Sequence, residues 1–123
     1  MALHRGAASL AILAFEREAF REQYLDSLMA ATVNPFVPSD RIRLETSLAD
    51  IARSRVAISD GDITPGVITI ASPILDHRGA VVASIALSAL RARLEATVDA
   101  LEALVRAEAR RVTHALGGPE GDA

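Results

Sequence analysis

Cysteine is absent from all 123 residues, which excludes disulfide bonds and thiolate chemistry. Lysine is absent as well, so all 13 basic residues are arginine. These arginines are scattered, the net charge is −3, and no basic stripe stands out; nucleic-acid binding by this segment alone is therefore disfavoured. Tryptophan is missing and aromatics make up 3%, so the core must be aliphatic and alanine-rich. No apolar run approaches the roughly 18–20 residues that cross a bilayer, and no membrane partner is expected. His4 and Arg5 precede an apolar stretch, a pattern that a signal peptide shares. Glu16, Arg17 and Glu18 follow at once without a small-residue cleavage pattern, which favours a core helix and a cytoplasmic chain. Catalytic constellations are missing too. His4, His77 and His114 have no metal-ligand spacing, and no nucleophile elbow, Walker loop or dinucleotide fingerprint occurs. Asp60 and Asp62 read as a solvated turn. Neither an enzyme nor a cofactor nor a metal site is expected.

Half of the residues are apolar and 24% are charged, a globular composition in a length that suits one domain. The pattern predicts helices over 7–15 and 16–30, the second burying Phe20, Tyr24, Leu25, Leu28 and Met29 on one side. Asn34 to Asp40, with two prolines, reads as a loop, and 42–54 as a third helix with Leu44, Leu48 and Ile51 facing in. Val56–Ser59 is a short strand. Val67–Leu75 and Ala80–Ser88 form a hairpin about Asp76-His77-Arg78-Gly79. Pro73 cannot donate to a ladder and should face an edge or a bulge. Residues 91–116 read as a long helix with Leu94, Val98, Leu101, Val105, Val112 and Leu116 in one stripe and a Glu102–Arg106 pair outside. Gly117-Gly118-Pro119 stops it. The domain is thus expected to span 1–117, with 118–123 a flexible tail. Helices, then strands, then a helix indicate an antiparallel sheet covered by helices. Three strands are few for so many apolar residues, so either a partner chain supplies strands or the natural protein begins earlier than Met1.

The hairpin is the most informative segment. If Asp76 and Gly79 close the turn, Thr69 opposes Ala86, Ala71 opposes Ser84 and Val67 opposes Ser88. These six share one face, because side chains alternate along a strand. Ile68, Ile70, Ile74, Val81, Ile85 and Leu87 share the other. One face is bulky; the second is small and carries hydroxyls at Thr69, Ser84 and Ser88. A small, polar-lined hollow suits a compact ligand. Close packing of a helix onto small residues, with the hydroxyls bonded to backbone, is the competing reading. A one-residue slip of register would exchange the faces. At the mouth of the first helix, Gly6, Ala7 and Ala8 leave backbone N–H groups accessible to an anion such as a ligand carboxylate; an ordinary helix start is the alternative.

The stretch Gly66-Val67-Ile68-Thr69-Ile70-Ala71-Ser72-Pro73-Ile74-Leu75-Asp76 and the strand Gly79-Ala80-Val81-Val82-Ala83-Ser84-Ile85-Ala86-Leu87-Ser88 together resemble the C-terminal effector-binding domain of IclR-type bacterial transcription regulators. Upstream, Ala57 to Gly66 looks like that family's acidic loop, and Leu3 to Phe15 like its first helix. The resemblance covers roughly residues 3–117. It implies an α+β, GAF-like fold: a curved antiparallel sheet flanked by helices, here incomplete at the N-terminus, with an effector pocket on one sheet face. It implies effector contacts at Ala7, Ala8, Ser59, Asp60, Thr69, Ala86 and Ser88. Ala86 replaces a family serine, Ser59 stands where an acid is common, and Arg55 stands where a glycine often precedes the strand. The implied partners are a small organic or aromatic acid and further copies of the chain, as a dimer or tetramer. DNA would be reached only through an N-terminal winged helix-turn-helix that this chain lacks. The alternative is an oligomerisation module without a ligand of its own.

Overall fold

The computed structural model describes residues 5–31, 36–60, 65–90 and 98–119. Three helices come first: α1 (Ala7–Ala14), α2 (Glu18–Ala30) and α3 (Pro38–Ser54). Strands β1 (Ala57–Asp60), β2 (Val67–Leu75) and β3 (Val81–Leu90) follow, and α4 (Val98–Ala115) comes last. The stretch 91–97, with Leu94, expected to open the long helix, lies outside the described residues.

Helix α3 starts four residues earlier than the loop reading of its prolines suggests. Pro38 occupies the first helical position, where a missing N–H costs nothing. The Val37 N–H donates to Asp40 Oδ2 at 3.0 Å, and the Asp40 N–H returns to the Val37 carbonyl at 2.9 Å. The helix ends on Arg55, a non-glycine residue in the left-handed region at φ 63°. Its guanidinium stands 5.6 Å over the Phe15 ring, and its carbonyl accepts the Ser72 hydroxyl at 2.6 Å. Those contacts hold a conformation that glycine would adopt without strain.

Among the described residues the sheet has three antiparallel strands in the order β1-β2-β3. Its hairpin closes differently from the sequence expectation. The Asp76 N–H donates to the Ala80 carbonyl and the Gly79 N–H to the Asp76 carbonyl, both at 2.9 Å, with Gly79 at φ 78°. The loop therefore holds three residues rather than two. A bulge follows: Leu75 pairs with Val81 but Ile74 with Ala83, leaving Val82 as the extra residue. Turn and bulge each add one residue, so partners slide by two. Thr69 opposes Ser88, Ala71 opposes Ala86 and Pro73 opposes Ser84. An even slip preserves the faces while changing every partner. Val81, expected on the bulky face, instead stands opposite Leu75.

Helices cover both sides of the sheet. Ala57 and Ala71 on the small face are buried with Ala7, Leu10, Ala11 and Ala14 of α1 and with Leu48 and Ile51 of α3. Ile68 and Ile70 on the bulky face are buried with Val56 and Val105, against Ile85, Val98 and Leu101. Alanine faces alanine at the α1 contact, which lets helix and sheet approach closely. Pro73 lies past Ala71, the last β2 residue paired to β1, so no bond of that ladder is lost. Two residues on, the Leu75 N–H finds no strand and donates to Thr113 Oγ1 of α4 at 3.0 Å.

Three expectations need correction. Of the face expected to be buried on α2, Leu25 is buried while Phe20 and Met29 are exposed, because α2 lies on α3 and not on the sheet. Arg41 of α3 bridges to α2, reaching Glu22 at 2.7 Å and Asp26 at 2.8 Å, and pairs with Glu45 of its own helix at 2.9 Å. On α4 the buried stripe includes Ala109 and Thr113, whereas Leu116 is exposed. Arg106 sends its Nε to the Ser54 carbonyl at 2.9 Å, on the neighbouring helix. Finally, residues 118 and 119 are not a free tail. The Gly118 N–H caps the Thr113 carbonyl at 2.9 Å, and a Cβ on Gly118 would meet the Leu75 and Asp76 carbonyls at 2.9 and 2.8 Å. Residues 120–123 lie outside the described residues.

Candidate functional site

Three hydroxyls line up across the sheet. Ser59 of β1 pairs with Thr69 of β2, and Thr69 with Ser88 of β3, so all three side chains leave the same face in one row. The row behind it is entirely alanine: Ala57, Ala71 and Ala86. Thr69 Oγ1 and Ser88 Oγ are 2.8 Å apart and hydrogen-bonded. Two hydroxyls own two protons, and their mutual bond uses one. The pair can still donate one hydrogen bond and accept others, which matches the needs of a carboxylate or a hydroxyl ligand group.

Burial falls off along this row. Ser59 is buried, Thr69 is half-buried, and Ser88 and its neighbour Ala86 are exposed. The predicted hollow is thus an open shelf, deep at β1 and open at β3. Two clefts open elsewhere. One of about 230 Å³ lies between α2 and α3 beside Leu25 and Leu48; a second lies where the end of α3 meets α4. Neither is lined by Thr69 or Ser88.

The start of α1 reaches the same face. Ser84 Oγ of β3 donates to the Ala8 carbonyl at 3.0 Å, which pins the first turn of α1 onto the sheet. Gly6, at φ 84°, leads into the helix, and no side chain caps it. The first intrahelical bond is Leu10 N–H to the Gly6 carbonyl at 3.0 Å, so the amides of Ala7 and Ala8 precede the ladder. Ser84 is therefore an anchor, its hydroxyl bonded to backbone as the packing reading supposed. Ala86 lies between Ser84 and Ser88 on the same face, as an alanine floor between the helix start and the hydroxyl pair.

The structure thus brings Ser59, Thr69, Ala86 and Ser88 onto one face, with Ala7 and Ala8 at its edge. It does not bring Asp60 there. Asp60 pairs with Ile68 and so leaves the opposite face, the side covered by α4. The remainder of the acidic loop, 61–64, lies outside the described residues. Among the described residues no group of three His, Asp or Glu side chains is placed to hold a metal ion, and no helix is long and apolar enough to cross a membrane.

Residues 1–114 match the sequence profile described as "Bacterial transcriptional regulator IclR C-terminal". The chain belongs to this family. Solved structures agree on the fold. The Agobacterium tumefaciens repressor BlcR is 26% identical, with a TM-score of 0.73 over 94% of this chain and 47% of its own. IclR of Thermotoga maritima is 23% identical, with a TM-score of 0.77 over 94% of this chain and 47% of its own. A double mutant of the inducer-binding domain of the PobR transcription factor from Acinetobacter, in complex with 3-hydroxybenzoic acid, is 18% identical. Its TM-score is 0.72 over 94% of this chain and 67% of its own. This IclR C-terminal domain therefore spans about half the length of BlcR and of IclR. No curated protein sequence is a significant match.

Proposed function

We propose that this IclR C-terminal domain is a cytoplasmic sensor that binds a small organic acid on the alanine-floored shelf between the start of α1 and the Thr69–Ser88 hydroxyl pair. The observation that carries the reading is the Ser59-Thr69-Ser88 row, set on one sheet face beside unladdered helix amides. A carboxylate at Ala7 and Ala8 meets the positive end of α1. A polar group at the far end of the ligand meets the hydroxyl pair. The ligand's body lies over Ala86, where a larger side chain would take its place. The class of ligand in the PobR domain, an aromatic hydroxy acid, suits the same division into carboxylate, flat body and hydroxyl. Because the shelf is open at β3, one side of the ligand stays wet, and affinity should be modest.

Sensing requires the ligand to favour one arrangement of the assembly over another. Ligand contacts join α1 to β3, so a bound acid would stiffen the α1–β3 contact, and copies of the chain packed on these elements would feel the change. In a regulator carrying DNA-binding heads, that change would move them.

Calorimetric titration with 3-hydroxybenzoate and a panel of short carboxylic acids tests the proposal. Ser88→Val and Thr69→Val should each weaken binding by about tenfold or more while leaving the far-UV spectrum intact. Undiminished affinity in both variants would refute the site. The second reading, an association module without a ligand, is favoured by β3 itself: an edge strand with Val82 and Leu90 exposed. Self-association that persists while every acid in the panel fails to bind would support it instead.

A further inference from the structure

We infer that two copies of this chain pair edge to edge through β3, antiparallel and about a two-fold axis at Ala86. Among the described residues the sheet has two edges, and they differ. β1 is four residues long and ends on Asp60; shortness and charge both blunt an edge. β3 runs for ten residues, Val81–Leu90, without a proline, a glycine or a charge. None of its residues is buried, whereas most of β2 is. Leu87 and Ile70 stand side by side in one row of the bulky face, yet Leu87 is 38% exposed and Ile70 1%. Among the described residues β3 pairs with β2 alone, so its outward N–H and carbonyl groups form an uncharged template for another strand.

The residue order on β3 identifies the partner. Val82-Ala83-Ser84-Ile85-Ala86-Leu87-Ser88-Ala89-Leu90 reads nearly alike in both directions. Antiparallel pairing about Ala86 therefore sets like against like. Ser84 faces Ser88 of the second copy, Ile85 faces its Leu87, Ala83 faces its Ala89, and Val82 faces its Leu90. A two-fold interface must be self-complementary in this way, because each copy presents the same patch. With the axis at Leu87, Leu90 would face Ser84; with the axis at Ile85, Leu87 would face Ala83. Of these three registers, the one centred on Ala86 matches size and polarity at every pair. Paired residues share a sheet face, so the serines stay on the small side and Ile85 and Leu87 on the bulky side. Both serine hydroxyls are already bonded, Ser84 to the Ala8 carbonyl at 3.0 Å and Ser88 to Thr69 at 2.8 Å. Covering them leaves no hydroxyl unpaired. Val82 and Leu90, 54% and 51% exposed, gain apolar neighbours in each other.

The test uses the intact chain in buffer without any acid, so that loss of pairing and loss of ligand binding are read separately. Sedimentation equilibrium at micromolar concentrations should give a dimer. Leu87→Lys places two ammonium groups diagonally beside the axis and should raise the dimer dissociation constant about tenfold or more. Phe20→Lys, an equal change on the exposed side of α2, should leave that constant unaltered. Disulfide formation reads the register, since the chain has no cysteine of its own. In Ala86→Cys the two sulfurs meet at the axis and should cross-link on mild oxidation. In Leu90→Cys they stand at opposite ends of the strand pair, roughly 27 Å apart, and should not. The cysteine variants report the interface even if Leu87→Lys fails to fold. A monomer at every concentration would overturn the proposal. So would a dimer that Phe20→Lys dissociates and Leu87→Lys does not, which would place the contact on the helices, and so would cross-linking through Leu90→Cys but not through Ala86→Cys.

Discussion

Thr113 is the single side chain on which the seam between α4 and the sheet most depends. It is fully buried, and its Oγ1 accepts the Leu75 N–H at 3.0 Å. Leu75 lies beyond the end of β1, so its amide has no strand partner there, and at 5% exposure it has little access to water. Thr113→Val keeps the shape and removes the acceptor. Leaving a buried N–H unsatisfied costs about 1–3 kcal/mol. A methyl in place of the hydroxyl returns roughly 0.8 kcal/mol of apolar burial. The net loss should be about 0.2–2 kcal/mol, centred near 1 kcal/mol, with the valine otherwise well accommodated.

Urea unfolding followed by circular dichroism reads this directly. With a slope of ~1.5 kcal/mol/M, the midpoint of Thr113→Val should fall by about 0.7 M. Thr113→Ser, which keeps the acceptor and loses one methyl, should cost about 1 kcal/mol through lost burial. Thr113→Ala should combine both losses. Native-state hydrogen exchange adds a local readout: the Leu75 amide should exchange faster in the valine and alanine variants than in the serine variant. If Thr113→Val is as stable as the parent, the hydroxyl is merely filler and the account of this seam is wrong.

Other expectations follow from single contacts. Gly118→Ala should destabilise by about 3 kcal/mol, because its Cβ would sit within 3 Å of two backbone carbonyls and of Thr113 Cγ2; Gly117→Ala, with a nearest neighbour at 3.4 Å but φ at 77°, should cost about 1 kcal/mol. Thermal melts of the pair would show the order. Ser84→Ala should cost about 1 kcal/mol and speed amide exchange in the first turn of α1, since it removes the bond to the Ala8 carbonyl. Arg55→Gly should fall within about 1 kcal/mol of the parent by urea unfolding, relief at φ 63° offsetting the lost contact with Phe15. The Arg78 and Ala80 N–H groups donate to Asp76 and hold its carboxyl below its ordinary value of 3.8. Its stabilising contribution is therefore complete above about pH 4 and lost as pH falls through the lowered folded value. Asp76→Asn should shrink the acid-dependent part of a stability-versus-pH curve below pH ~4 and leave its shape unchanged from pH 5 to 8.

Strand identity was legible because it rests on local pattern. The β-branched run Val67–Leu75 and the alternating strand after Gly79 were recognisable from residue type alone. Helix boundaries were less so. Pro38 punctuates a loop by composition, yet as a first helical residue it starts α3, and nothing but the Asp40 bond to Val37 separates the two uses. The apolar spacing of α2 correctly indicated a helix, but spacing cannot say whether a face meets the sheet or another helix, and Phe20 and Met29 ended exposed. Thr113 is invisible to the apolar pattern because a polar residue does not count toward an apolar stripe. The Leu75 amide is left for it only because β1 begins at Ala57, opposite Ala71, and does not reach back to Leu75. Arg53, Arg55, Arg106 and Arg110 all line the cleft where α3 meets α4 but lie up to 57 positions apart, so they read as scattered until the chain folds.

The hydroxyl row survived an error in the pairing that would normally have erased it. A two-residue turn was expected, and the real loop contains three. Taken alone, that change shifts the register by one and would send Ser84, Ala86 and Ser88 to the bulky face. The bulge at Val82 adds a second residue and restores the parity before β3 reaches Ser84. Turn and bulge thus act as one unit: Gly79 supplies the left-handed residue that a three-residue loop needs, and the bulge corrects the faces that this loop would otherwise exchange. With the correction made, Thr69 meets Ser88 rather than Ala86, and Ser59 on the other side completes a continuous polar row. Alternation therefore fixes faces more firmly than turn closure fixes partners, because an even slip leaves the faces intact and changes every pair. The alanine now opposite Ala71 is Ala86. Ala86 belongs to the floor, one step from the hydroxyl pair, so an alanine there leaves the row whole, and bulk rather than hydrogen bonding decides what can lie above it.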